Sequence, residues 1–364
     1  MTAIERLIRD EIARDGFMTL QRYVALVTGH PVHGYYASAE PFGRAGDFVT
    51  APEISQVFGE LIGLALGQAW ADQGSPARAL LAELGPGRGT LMRDALRALR
   101  IVPGAPAALA VHLVEASARL RAIQAETLAD AAPVWHTAIG DVPDAPLFLI
   151  ANEFLDALPA HVLVRRGADW HERTVTVDGT GAFVPGETPC PSGMAARLPA
   201  SWGAATDGAI GEWAPLRAEA VATIAGRIVR HGGCALLIDY GAAASGPAGD
   251  TLQAVRAHRP WPILAEPGTA DLTSQVDFAP LLDAARAAGA AAWGPLPQGT
   301  FLLALGAEAR FDALAHSKDA DAVVALVRAR RRLLHPAAMG EAFKVMAITP
   351  RTAPPPPGFA HPPA

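Results

Sequence analysis

Leu80-Leu81-Ala82-Glu83-Leu84-Gly85-Pro86-Gly87-Arg88-Gly89-Thr90 is the stretch on which the fold turns. A short apolar run ends in an acid, and three alternate glycines follow. Leu91, Leu96 and Leu99 then recur at helical spacing. That order is strand, tight turn, helix. Glycines at such a turn admit positive φ and let a ligand approach the backbone. In an open α/β sheet, small ligands bind in the crevice beyond the carboxyl ends of the strands.

The loop chemistry narrows the ligand. Without a lysine the loop does not suit a nucleoside triphosphate. Its spacing, Gly85-x-Gly87-x-Gly89, differs from the dinucleotide pattern, and Glu83 stands where it would repel a pyrophosphate. The same carboxylate favours an ammonium-bearing ligand. S-Adenosylmethionine (SAM) has an α-amino group and a sulfonium, and no phosphate. The pattern is similar to the first motif of Rossmann-like methyltransferases; a plain strand–helix turn is the alternative.

Acids mark the ends of the later strands. Ala110 to Val114 reads as a strand ending in Glu115. An acid there either accepts two ribose hydroxyls or is a solvated strand end. Ser117 has the position of an N-cap for a helix over 119–128. A strand near Val134 to Thr137 leads to Asp141, which suits an adenine contact or an ordinary turn. Leu147 to Ile150 runs into Asn152, Glu153 and Asp156. Carboxylates beside an apolar strand are costly to bury unless paired, and a cationic substrate is one such partner; an N-cap with turn acids is the other reading. A fifth strand, Ala235 to Ile238, ends in Asp239.

Around this core lie additions. Ile4, Leu7, Ile8 and Ile12 predict an amphipathic helix, and a second covers 20–27. A loop spans Phe42 to Val49. Thr50-Ala51-Pro52-Glu53 has capping-box spacing and starts a helix running to about Asp72. That helix is either a lid over the crevice or packed on the sheet. Residues 161–211 form an insertion with a hairpin at Asp178-Gly179, a flap or a decoration of the fold. The arginines at 328 and 330–332 read as a solvated helix face. Thr352 to Ala364, rich in proline, reads as a mobile tail. The expected organisation is a helical extension or lid at 1–79, a core at 80–160 and 212–348, a flap at 161–211 for substrate recognition, and a tail at 349–364.

Composition sets outer limits. The chain of 364 residues is 51% hydrophobic, enough for a sizeable core. A net charge of −6 disfavours a nucleic-acid partner. Cys190 and Cys234 are its only cysteines and support neither a zinc site nor a disulfide framework, so no metal is expected. No apolar run approaches ~18 residues, so membrane insertion is not expected. Glu5, Asp10, Glu11 and Asp15 argue against a signal peptide or presequence and predict a cytoplasmic protein.

Several stretches together resemble one family. They are Gly34-Tyr35-Tyr36, Gly46 through Glu60, Glu83 through Thr90, Asn152 through Pro159, Ile238 through Gly241, Pro267-Gly268, Asp271-Leu272-Thr273, Val276-Asp277-Phe278 and Met339 through Lys344. The chain resembles the MidA-type SAM-dependent methyltransferases, whose mitochondrial members are complex I assembly factors, from about Ile4 to Ile348. The resemblance implies an α/β fold: a Rossmann-like class I methyltransferase with a mostly parallel doubly wound sheet, an N-terminal helical extension and an inserted β-rich flap. It implies SAM as cofactor and methylation of a protein arginine on a partner such as a respiratory complex I subunit. Carried over by position, Glu83, Gly85, Pro86, Gly87, Gly89, Thr90, Glu115, Ser117, Asp141 and Asn152 bind the cofactor, with Thr50 and Ser55 nearby. Leu155 and Gln275 depart from the family, which usually has phenylalanine and histidine there.

Arginine is a poor nucleophile because its pKa exceeds ~12. Carboxylates can orient its guanidinium and take its proton as charge moves. Glu153 and Asp156, with Asp239 third, are the expected catalytic acids. A SAM-binding assembly chaperone is the competing reading; a NAD-dependent oxidoreductase is disfavoured by the loop spacing and Glu83.

Overall fold

The computed structural model describes residues 1–38, 50–243, 246–247, 249–316 and 318–359. The expected Phe42–Val49 loop, the first residues of the Gly46–Glu60 motif and the last five residues of the tail lie outside them. The chain divides into two compact units. These cut across the boundaries drawn above: residues 1–48 belong to one unit and 49–79 to the other.

One unit comprises Val49–Leu155, Glu219–Ala242 and Pro280–Ala364. Its sheet has the strand order Ala291–Pro297, Phe343–Thr349, Gly233–Ala242, Leu147–Asn152, Ala79–Leu84, Leu109–Val114, Val134–His136. The last five in that order are mutually parallel, while Phe343–Thr349 runs antiparallel to both neighbours. Every residue of Ala79–Leu84 and of Leu147–Asn152 is buried. Strands covered on both faces read as unbroken apolar runs, as these do. From Ala79–Leu84 the chain steps outward through Leu109–Val114 to Val134–His136, then returns to the opposite side with Leu147–Asn152. The strand order therefore reverses between the two central strands, and their carboxyl ends flank the crevice that such a reversal opens.

Two helices pack unusually close beside this sheet. Gln56–Asp72 presents Gly59, Gly63 and Gly67 to Thr90–Leu99. A Cβ on Gly63 would lie 2.6 Å from the Ala95 Cα, and one on Gly59 would lie 2.8 Å from the Asp94 Cβ. The long helix expected to begin at Thr50 is broken into a single turn, Ala51–Ile54, and Gln56–Asp72. Thr50 makes no side-chain cap. Ser55, in extended conformation, accepts the Val57 N–H at 3.3 Å and starts the second helix instead. The Glu53 carboxylate that would complete the capping box is engaged elsewhere, by Thr90.

Two further departures come from the C-terminal half. Ala291–Pro297 is a strand that the proline-punctuated sequence hides. It sits at the sheet edge with a bulge between Trp293 and Leu296, where missing N–H donors are tolerated. The tail is anchored: Phe359 is buried, with its ring centroid 5.3 Å from that of Phe301.

The other unit comprises Met1–Phe48, Asp156–Ala218 and Ala243–Ala279. Its helices Ala3–Asp15 and Leu20–Gly29 are capped by Thr2 and Thr19. Of the predicted stripe, Ile4, Ile8 and Ile12 pack in a core with Tyr23, Val27, Val162 and Val175, whereas Leu7 is exposed on the flank of the helix. An antiparallel sheet orders Met18–Thr19, Asp169–Val177, His161–Arg166 and Ile210–Trp213, and Phe183–Pro189 also pairs with Asp169–Val177. Asp178 closes that hairpin, its Oδ1 accepting from the backbone of Thr180 and Ala182 at 2.9 Å each. Among the described residues no helix is long and apolar enough to cross a membrane.

Candidate active site

The site is assembled at the carboxyl ends of the parallel strands. Gly85, Gly87 and Gly89 have φ of 60°, 52° and 80°. These left-handed values suit glycine and turn the chain from strand to helix within a few residues. A Cβ at Gly85 would come within 3.2 Å of the Phe154 ring.

Glu83, the last acid before the bend, is 3% exposed. Burial pushes its carboxyl up to about 8, although the backbone N–H of Met92 opposes the shift. Its Oε2 is buried without a hydrogen-bond partner among the described residues, and so is Oδ1 of Asn152, at the end of the neighbouring strand. Buried acceptors are rarely left unpaired, and each such atom costs about 1–3 kcal/mol. Two of them at adjacent strand ends suit a ligand that brings N–H donors and positive charge.

Glu115 ends the next strand. Its Oε1 accepts the Ser117 N–H at 2.8 Å and its Oε2 accepts Gln124 Nε2 at 3.1 Å. Burial raises its pKa; the Ser117 and Gln124 hydrogen bonds and the nearby Arg121 pull it back. A carboxylate oxygen can accept more than one hydrogen bond, so each retains room for a hydroxyl. Ser117 caps the helix Ala118–Thr127 through the Leu120 N–H, at 3.3 Å.

Glu153 occupies a strained turn. Its φ is +51°, a region that costs a non-glycine residue about 1–3 kcal/mol and that clusters at functional sites. The turn is pinned from both sides. The Glu153 N–H donates to the Ile238 carbonyl at 2.9 Å. Asp239, fully buried, accepts the Leu155 N–H at 2.9 Å on Oδ2 and the Tyr240 N–H at 2.9 Å on Oδ1. Glu153 Oε1 accepts from Asn152 Nδ2 at 3.1 Å and from the Ala51 N–H at 3.3 Å. The Ala51–Ile54 turn thus reaches Glu153, and through Glu53 it also reaches the glycine loop. There the Thr90 hydroxyl donates to Glu53 Oε1 at 2.5 Å.

Hydrogen bonds and adjacent strand ends therefore bring together Glu83, the glycine loop, Thr90, Glu115, Ser117, Asn152, Glu153 and Asp239, with Thr50 and Ser55 flanking the Ala51–Ile54 turn. Two expected residues have other partners. Asp141 is exposed and caps its own turn, its Oδ2 accepting Thr137 Oγ1 at 2.9 Å and the Ala138 N–H at 3.0 Å. Asp156 belongs to the other unit. There burial pushes its carboxyl up to about 6 against the pull of Arg217. Arg217, 2% exposed, donates to the carbonyls of Leu158 at 3.1 Å and Gln275 at 2.7 Å and to Ser274 Oγ at 2.6 Å. The Gln275 side chain itself is exposed.

Sequence reasoning missed Glu53, Gln124 and Arg217. The one available signal was for Gln124: with Leu120 and Leu128 it forms an i, i+4, i+8 stripe, and it is the polar member of that buried face.

The groups present fit SAM: carboxyl groups and acceptors without a partner among the described residues to meet its ammonium, an acid with capacity for ribose hydroxyls, and glycine backbone without a phosphate-binding lysine. Fold and site together define a Rossmann-like SAM-dependent methyltransferase. The comparisons agree. The family described as "Putative S-adenosyl-L-methionine-dependent methyltransferase" matches residues 61–296, and the chain belongs to that family. A Burkholderia thailandensis protein solved with S-adenosyl-homocysteine bound superposes with a TM-score of 0.86 at 31% identity, covering 99% of this chain and 95% of that one. Among curated relatives, the protein arginine methyltransferase NDUFAF7, mitochondrial, of Xenopus laevis is 35% identical over 94% of this chain and 83% of its own length. Its Homo sapiens namesake is 33% identical over 96% and 84%. The chain is an S-adenosylmethionine-dependent methyltransferase.

These relatives overturn the cytoplasmic expectation, because their names place them in mitochondria. The acids behind that expectation lie in the folded helix Ala3–Asp15, where Glu5 completes a capping box. They report on helix capping and solvation, not on an address.

Proposed function

We propose that the chain methylates an arginine side chain of a protein, with a respiratory complex I subunit as the first acceptor to test. The observation that carries this reading is the strained Glu153 turn, braced by Asp239 and tied to the Ala51–Ile54 turn. It supports Glu153 as the acid that orients the guanidinium and takes its proton. The relatives named protein arginine methyltransferases favour this acceptor.

Bound SAM supplies a methyl group activated by its sulfonium. On this reading the chain's own residues do the rest. Glu83 and Asn152 hold the methionine ammonium, Glu115 accepts the ribose hydroxyls, and the glycine loop lets the cofactor lie against backbone. Alignment of the two reactants can supply several kcal/mol of the barrier reduction. Asp239 acts through the turn and not on the substrate. Asp156, with Arg217, serves the other unit, whose segment 161–211 we assign to acceptor recognition.

The test is transfer of radiolabelled methyl from SAM to proteins of an extract lacking this enzyme, with mass spectrometry of the labelled band. Methylarginine dependent on Glu153 supports the reading. Label on another residue type overturns the arginine assignment. SAM binding with no transfer to any protein favours the assembly chaperone instead.

A further inference from the structure

We infer that Gln124 is the positioning residue of the nucleoside half of the cofactor site, and that its amide holds Glu115 and the glycine loop in their ligand-accepting geometry. The inference rests on the reading of Glu115 as the ribose acceptor.

Gln124 is completely buried. Its Nε2 donates to the Gly87 carbonyl at 2.8 Å and to Glu115 Oε2 at 3.1 Å. Its Oε1 accepts from Trp135 Nε1 at 2.8 Å. One amide thus joins the glycine loop, the end of the Leu109–Val114 strand and the edge strand Val134–His136. The amide orientation follows from the partners: an indole N–H can only donate, whereas a carbonyl and a carboxylate can only accept. Neither end can be exchanged without facing two donors or two acceptors together.

This arrangement has two consequences. The Gly87 carbonyl, at the middle of the bend, accepts from a partner 37 residues away in sequence. Glu115 receives a donor on each oxygen, from Ser117 and Gln124, which restrains the turning of its carboxylate. The Gln124 bond also favours the ionised form of Glu115 against the cost of burial. Removing the amide leaves a carbonyl, a carboxylate oxygen and an indole N–H unmatched.

The test measures binding of S-adenosylhomocysteine and its 2′-deoxyribose counterpart to the full chain by calorimetry. Wild type should prefer the ribose form. Gln124→Leu should lose most of that preference, and so should Glu115→Gln. Gln124→Glu keeps the shape but, when ionised, sets a second carboxylate against Glu115. The charged and titratable groups near it are Glu115, Arg121 on the same helix, and the His112–His136 ring pair on the adjoining strands. Its affinity should therefore fall, relative to wild type, as pH rises from about 6 to 8, a readout available even if Gln124→Leu does not fold. If Glu115→Gln loses the ribose preference while Gln124→Leu retains it, or if Gln124→Glu follows wild type across the pH range, the inference is overturned and the ribose reading stands. If Glu115→Gln retains the preference, both fall.

Discussion

Asp239 accepts the backbone N–H of Leu155 at 2.9 Å, and this bond ties the end of the Gly233–Ala242 strand to the turn that carries Glu153. Asp239→Asn keeps the size but turns one acceptor into a donor facing backbone N–H groups. We expect a loss of about 1–3 kcal/mol in chemical denaturation. Turnover should fall further than SAM affinity, because the turn is displaced and the glycine loop is not. Unchanged turnover would show that Glu153 does not depend on this brace.

Glu153→Gln preserves shape and removes the negative charge and the base. Turnover should drop by about 10²-fold or more, while SAM affinity by calorimetry stays near wild type. Activity near the wild-type level would remove Glu153 from the proposed chemistry.

Glu83 links SAM binding to pH. Burial holds its carboxyl at about 8, against an ordinary value of 4.5, so the ligand-free native state keeps a proton that the unfolded chain releases. Its contribution to stability is therefore full below about pH 4.5 and is lost as pH rises toward 8. An ammonium ligand selects the ionised form. SAM affinity should rise between about pH 6 and 8, with proton uptake by the buffer visible in calorimetry across buffers of different ionisation enthalpy. Glu83→Gln should bind SAM weakly and with a flatter profile. A flat profile in wild type would contradict the buried, protonated Glu83.

Phe359→Ala tests whether the tail is part of the core. The residue is 2% exposed and its ring is tilted against that of Phe301, so truncation should cost about 3–5 kcal/mol in thermal or chemical denaturation. A neutral result would restore the free-tail expectation.

Gly63→Ala tests the close contact of the two helices. The added methyl would meet backbone and Cβ atoms of Ala95 at 2.6–2.8 Å. Overpacking of this kind costs about 1–3 kcal/mol. The glycine loop begins the helix that would be pushed aside, so SAM affinity should fall together with stability; a fall in stability alone would uncouple the two.

The parts of the site legible in sequence are those written by neighbours along the chain. A strand, an acid, a glycine bend and a helix start lie within Leu80–Thr90, and backbone sterics leave few other ways to read them. Glu115 and Asn152-Glu153 were legible because each ends an apolar run, and parallel strands bring such ends to one edge of a sheet. The break at Ser55 was not legible, because the acid that would close the capping box at Thr50 is taken by Thr90, 37 residues on. The Ala291–Pro297 strand was hidden by prolines that only an edge position tolerates.

By itself, then, the order of residues determined the class of fold, the glycine bend and the acids at the strand tips, since these depend on periodicity and local φ preferences. Only tertiary structure decided that Asp239 serves Leu155, that Asp156 belongs with Arg217, and that Gln124 joins the glycine loop, Glu115 and Trp135. The reason is physical: a buried polar group must find a partner, and which partner it finds depends on side chains that approach from distant parts of the chain.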